Sequence, residues 1–228
     1  MKLYHRPDCP FCWKVRLVLR ESDIAVQEVA VGLGQKHPDV VALNPRATIP
    51  VLVEGDMVLW DSGPIAEYLA ERFPQAGLMA GSPAERAKIR QIHSYSDNVI
   101  GKILFPHIKQ VRENQGQTAA GEVQKKTSTA WRAAQEILSG QLGDADFFGP
   151  EFSLADCALL PRITLAQIYG LPLYQDFHNL GEWYQRCLVR SSVAAVFPAV
   201  FPGINEMIKL DSLRVSSFNK LVKSMELR

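Results

Sequence analysis

The sequence has no run of 18 apolar residues, so it predicts no membrane-spanning helix. It has no excess of either charge: Lys and Arg number 25 and Asp and Glu 24, for a net charge of +1. That balance removes the electrostatic case for nucleic acid or a membrane surface as the main partner. Cysteine is scarce, four in 228 residues, which excludes a disulfide framework. Cys157 and Cys187 lie far apart and no closely spaced histidine pair accompanies them, so a zinc site lacks its remaining ligands and no metal is expected. No internal repeat, low-complexity tract or charge run interrupts the chain. The opening Met1-Lys2-Leu3-Tyr4-His5-Arg6-Pro7 lacks the apolar core and cleavage site of a signal peptide. A cytoplasmic protein with reduced thiols is therefore expected.

What is present is ordinary globular sequence, 47% hydrophobic and 21% charged. At about 100–200 residues per domain, the length fits one large domain or two small ones. The first eighty residues alternate strand and helix patterns. Strands are predicted at Lys2–His5, Ala25–Val31, Pro50–Val53 and Met57–Trp60, the last two joined as a hairpin through Glu54-Gly55-Asp56. Helices are predicted from Pro10 to about Ser22 and from Asp61-Ser62 to about Phe73. Gly32-Leu33-Gly34 and Asn44-Pro45 bracket an irregular stretch. After Pro74 the pattern changes. Residues 84–112, 118–140, 153–169, 176–189 and 191–199 read as helices, with no strand among them. Ser153-Leu154-Ala155-Asp156 reads as a capping box at one helix start. The division expected is residues 1–76, then 84–210, then a tail at 211–228.

The chemistry concentrates at Cys9-Pro10-Phe11-Cys12, between a strand and a helix. The first turn of a helix has unpaired N–H groups and a partial positive charge. A thiol there ionises more readily than a free one, and the thiolate is the nucleophile. A lone cysteine is ordinarily a small buried hydrophobe, but the strand–CxxC–helix setting favours thiol chemistry. Cys9 is expected at the cap, facing outward, and Cys12 one turn inside as a resolving thiol. Lys14 and Arg16 add positive charge nearby. Cys157 and Cys187 fall on helical stripes and are assigned to the core. Ile49-Pro50 directly precedes a strand. It is either a simple strand-initiating proline or a cis bond. A cis bond would turn the Ile49 main chain outward to pair with an extended peptide-like ligand.

Together these motifs resemble the glutathione S-transferase superfamily. The residues that carry the resemblance are Cys9-Pro10-Phe11-Cys12, Asn44-Pro45, Ile49-Pro50-Val51-Leu52, Leu59-Trp60-Asp61-Ser62, Ile65 with Tyr68-Leu69, and Ser153-Leu154-Ala155-Asp156. The resemblance covers about residues 1–205. It implies a thioredoxin-like α/β domain followed by an all-helical bundle, usually as a homodimer. Within the superfamily, Cys9-Pro10-Phe11 is most similar to the omega and related cysteine-type classes. That implies glutathione as co-substrate and Cys9 as the nucleophile forming a mixed disulfide with it. It implies Ile49 and Pro50 along the cysteinyl part of glutathione, and Asp61 and Ser62 at its γ-glutamyl end. It also implies Phe11 as a backbone contact and Lys36 near the glycyl carboxylate, where a solvated loop lysine is the equal alternative. Asp61-Ser62 equally reads as a plain helix cap. Cys12 departs from the omega pattern and makes the site glutaredoxin-like. The second substrate, a small electrophile or disulfide, is expected between the domains near Tyr95, Asn98 and Phe105, which serve equally as packing.

A second resemblance leads elsewhere. Ala66 to Pro74, Leu78-Met79 and Glu151 to Cys157 are similar to stringent starvation protein A, which keeps this fold but binds RNA polymerase. Two cysteines at the first helix, and Pro74-Gln75-Ala76 where those proteins carry Pro-His-Pro, favour the enzyme.

Overall fold

The computed structural model describes residues 1–32, 35–113 and 121–197. The expected tail at 211–228, the 198–210 end of the second domain and the last residues of the 191–199 helix lie outside them. The chain begins β1 (Lys2–His5), α1 (Pro10–Glu21), β2 (Gln27–Ala30), α2 (Pro38–Leu43), β3 (Val51–Glu54), β4 (Met57–Trp60) and α3 (Ser62–Arg72). Then come α4 (Pro83–Tyr95), α5 (Gly101–Glu113), α6 (Glu122–Leu142), α7 (Leu154–Ile168), α8 (His178–Leu188) and α9 (Ser191–Val196). This is the expected mixed sheet followed by a helical domain. Among the described residues no helix is long and apolar enough to cross a membrane.

The sheet order is β2-β1-β3-β4. β1 and β2 run parallel, joined through α1, while β3 lies antiparallel to both β1 and β4. Side chains alternate across it, as the two-residue period of a strand requires. Leu3 and Leu52 enter the main core, whereas Tyr4 and Val51 face a second cluster with Val31 and Val40. The β3–β4 turn uses Gly55 at φ +57, a conformation in which a side chain would be strained. Glu54 belongs to β3, so the hairpin is one residue tighter than expected.

Two elements differ from the sequence expectation. The stretch expected to be irregular contains α2, six residues with only Val40 buried. Pro38 opens it and His37 Nδ1 accepts the Asp39 N–H at 3.2 Å. A helix this short with one apolar contact leaves no periodic stripe. The expected single helix at 84–112 is instead α4 and α5 joined by a π turn at Ser96–Ile100. Such wide turns often sit at functional positions, and this one carries Asp97.

One continuous core runs from Leu3 on β1 to Phe197, with α1 packed against α3, α7 and α9. Cys157 and Cys187 are fully buried in it, as expected. Asp156 is the polar hub at the α7 start. Its Oδ2 accepts the Ser153 N–H at 2.8 Å and the Ser153 hydroxyl at 2.7 Å. Its Oδ1 accepts the Phe148 N–H at 3.1 Å and the Trp183 indole N–H at 2.7 Å.

A second link ties α1 to the helical domain. Arg190 donates to both carboxylate oxygens of Glu21, at 2.8 and 2.7 Å, and the Ser192 hydroxyl donates to the same group. Burial alone would raise the Glu21 carboxyl, but these donors hold it below its ordinary value of 4.5. A depressed carboxylate contributes stability that is complete above its unfolded value and lost as pH falls through the folded one. Glu21→Gln is therefore expected to cost about 1–3 kcal/mol in urea unfolding at pH 7. The same substitution should cost much less at pH 3.

Candidate active site

The register gathers the predicted site residues at one end of the sheet. Tyr4 pairs with Val51 and Val51 with Trp60. The loop after β1, the approach to β3 and the residues after β4 therefore emerge together. Cys9, Ile49-Pro50 and Asp61-Ser62 share that end.

Cys9 is the N-cap of α1. Its carbonyl accepts the first helical bond, from the Trp13 N–H at 2.9 Å. Pro10 follows at the first helical position, where its missing N–H costs nothing. One expectation is corrected: Cys9 does not face outward. It is 7% exposed. Its thiol is nonetheless acidified, down to about 7. A hydrogen bond from the Cys12 thiol contributes most. Burial opposes it, and the Cys12 and Phe11 backbone N–H groups and the Arg6 charge add to it. Cys12 is 0% exposed, and burial pushes its thiol well up. The Arg6 N–H donates to its sulfur at 3.4 Å. The pair is thus split into one thiol acidic near neutrality and one held protonated.

The cations expected to help are engaged elsewhere. Arg16 pairs with Glu28 at 2.9 Å. Lys14 is buried and donates to Asp97 at 2.5 Å, with His93 Nε2 at 2.9 Å. Arg6 and Arg162, which sequence reasoning missed, are the charges in Coulombic reach of Cys9. Arg162 reaches in from α7. Its guanidinium sits 4.2 Å from the Phe11 ring centre and 5.1 Å from that of Phe105. Its Nη2 donates to Asp97 at 3.3 Å. Burial alone would raise the Asp97 carboxyl, but His93, Lys14 and Arg162 hold it well below the carboxylate range. The only sequence sign of Arg162 is that it is a lone cation in an apolar helix.

The approach to β3 is laced from inside. Buried Asn44 donates to the Thr48 carbonyl at 2.7 Å and accepts the Arg46 N–H at 2.9 Å. The Ile49–Pro50 bond is cis. Across the same end, Asp61 adopts φ +67 and ψ 133. For a non-glycine residue that backbone costs of order 1–3 kcal/mol and clusters at ligand sites. Its carboxylate is paired with Arg46 at 2.7 Å. Ser62 is buried as the first residue of α3, and Lys36 is exposed. Phe105 packs on Phe11, and Tyr95 is half-buried. Asn98 instead lines a cleft of about 520 Å³ between α3 and α4, together with Glu67, His93 and Asp97. Cys9 is not part of its lining. Among the described residues no group of three or more His, Cys, Asp or Glu is arranged to hold a metal.

Comparison with known proteins agrees with this fold. Residues 3–77 match the family described as Glutathione S-transferase, N-terminal domain, and residues 95–190 match Glutathione S-transferase, C-terminal domain. A stringent starvation protein A homolog of Haemophilus influenzae is 33% identical over 178 residues, covering 75% of this chain and 77% of that protein. Glutathione S-transferase GstB of Escherichia coli is 29% identical, covering 80% and 90%. A glutathione S-transferase from Methylobacillus flagellatus, solved with GSH bound, superposes with a TM-score of 0.73 at 27% identity, covering 86% and 98%. With its mixed four-stranded sheet, its cysteine at the first helix and its helical second half, this chain belongs to the glutathione S-transferase superfamily.

Proposed function

We propose that the protein is a glutathione-dependent thiol transferase of the cysteine type, similar to the omega class and its dehydroascorbate reductases. The observation that carries this reading is the Cys9 thiol, held near neutral acidity at a helix cap. The Cys9 thiolate attacks one sulfur of a glutathione disulfide. A Cys9–glutathione bond forms, the S–S bond breaks, and the departing thiolate takes the electron pair and a proton from solvent. A second glutathione thiolate, or Cys12 after deprotonation, then resolves the mixed disulfide. Ile49 and Pro50 line the cysteinyl part of glutathione, Ser62 and Asp61 its γ-glutamyl end, and Lys36 its glycyl carboxylate. Phe11 contributes its main chain only, since its ring is engaged by Arg162. The α3 start suits a carboxylate because its backbone N–H groups are unpaired. The protein acts in the cytoplasm as a homodimer, with glutathione and a small disulfide or electrophile as its substrates. Its domains divide at 1–76 and 84–210.

The acidity of Cys9 gives a direct test. Alkylation of Cys9 by iodoacetamide, followed by mass spectrometry, should rise roughly tenfold per pH unit below the midpoint. That midpoint is expected at about 7. A midpoint near the free-thiol value of about 8.5 would remove the basis of the proposal.

The 33% identity to a stringent starvation protein A homolog supports a second reading, a transferase fold serving as a partner of RNA polymerase. Capture of RNA polymerase by protein with no thiol exchange activity would put that reading first.

A further inference from the structure

We propose that Arg162, contributed by the helical domain, is a positioning residue for Cys9: clamped on the Phe11 ring, it sets the first turn of α1 in the geometry in which the cysteine reacts. This rests on Cys9 being the nucleophile.

Five observations carry the proposal. Arg162 is 2% exposed, so its charge is desolvated at a cost that an apolar residue of similar volume would not incur. Its guanidinium lies 4.2 Å from the Phe11 ring centre, in cation–π range, and Phe11 is two residues from Cys9. Phe105 closes on the same ring at 5.9 Å. Asp97 faces both Arg162 and Lys14, and Glu67 adds a second carboxylate within Coulombic reach of Lys14. The Arg162 Nη1 has no hydrogen-bond partner among the described residues. Arg162 therefore keeps an unused donor beside the α1 start. Arg6 and Asp8, paired with each other at 2.5 Å, lie beside Cys9, and Glu67 and His93 flank Lys14. A thiolate at Cys9 lies within Coulombic reach of Arg162. The Phe11 main chain, fixed through its ring, supplies an N–H that favours it.

The test uses the full chain as wild type, Arg162→Met and Arg162→Lys. It reads the pH profile of Cys9 alkylation alongside thermal unfolding. Arg162→Met should move the midpoint up by roughly 0.5–1 pH unit, about a 3–10-fold lower rate at pH 6.5. Arg162→Lys keeps the charge without the planar stack and should fall between the two. A folded Arg162→Met protein with the wild-type profile, or a Lys variant shifted further than Met, would overturn the clamp. Should Arg162→Met fail to fold, Phe11→Leu removes the ring it stacks on. That variant should shift the profile in the same direction, and an unchanged profile would again be decisive against the clamp. A wild-type midpoint at the free-thiol value would instead defeat the nucleophile reading beneath it.

Discussion

Replacing Cys9 with Ser is expected to abolish glutathione disulfide exchange, lowering turnover at least ~1,000-fold. A serine hydroxyl is not ionised near neutrality and cannot form a sulfur–sulfur bond. The N–H groups and the Arg6 charge that favour a thiolate therefore have nothing to act on. Cys12→Ser should behave differently. Cys12 is buried and held protonated, so it is a poor nucleophile. Serine still offers a donor to the Cys9 sulfur, which keeps the largest contribution to its acidity. Incubation with oxidised glutathione and mapping by mass spectrometry separates the cases. Cys12→Ser should carry one glutathione on Cys9, the wild type that adduct or, where Cys12 resolves it, a Cys9–Cys12 disulfide, and Cys9→Ser none. An adduct on Cys12, or exchange surviving in Cys9→Ser, would refute the assignment.

Asp156→Ala, away from the site, is expected to be strongly destabilising. The carboxylate accepts from Ser153 twice, from Phe148 and from Trp183, all buried. Removing it leaves the Phe148 and Ser153 N–H groups and the Trp183 indole N–H without acceptors inside the core. Each such donor costs about 1–3 kcal/mol, giving a total of about 3–5 kcal/mol once the site relaxes. For a chain of this size that lowers the melting temperature by roughly 10 °C. Asp156→Asn keeps one acceptor oxygen and should lose roughly half as much. A melting temperature of Asp156→Ala within about 2 °C of wild type would show that these bonds contribute little net stability.

Much of the site is local in sequence and so could be read from it. Cys9 and Pro10 mark a helix start through capping chemistry. Asn44-Pro45 and Ile49-Pro50 announce the loop that Asn44 then laces. The β3–β4 hairpin follows from its glycine. Three features were hidden for physical reasons. α2 buries one residue and leaves no stripe. The recession of Cys9 is a matter of tertiary packing, which periodicity does not encode. The Lys14–His93–Asp97–Arg162 cluster joins residues from α1, α4, the π turn and α7. Long-range ion pairs of this kind carry no local signature, and Lys14 reads as a surface cation on a helix until Asp97 is brought to it.

The unbroken apolar interior from Leu3 to Phe197 bears on how this chain can be rearranged by recombination or by design. α1 is sandwiched between α3 of its own half and α7 and α9 of the other. Exchanging the helical half for that of a distant homologue would thus change the bed on which the reactive cysteine's helix rests. Successful chimaeras would carry α1 and α7 as a matched pair, and inheritance of the two halves is coupled at that seam.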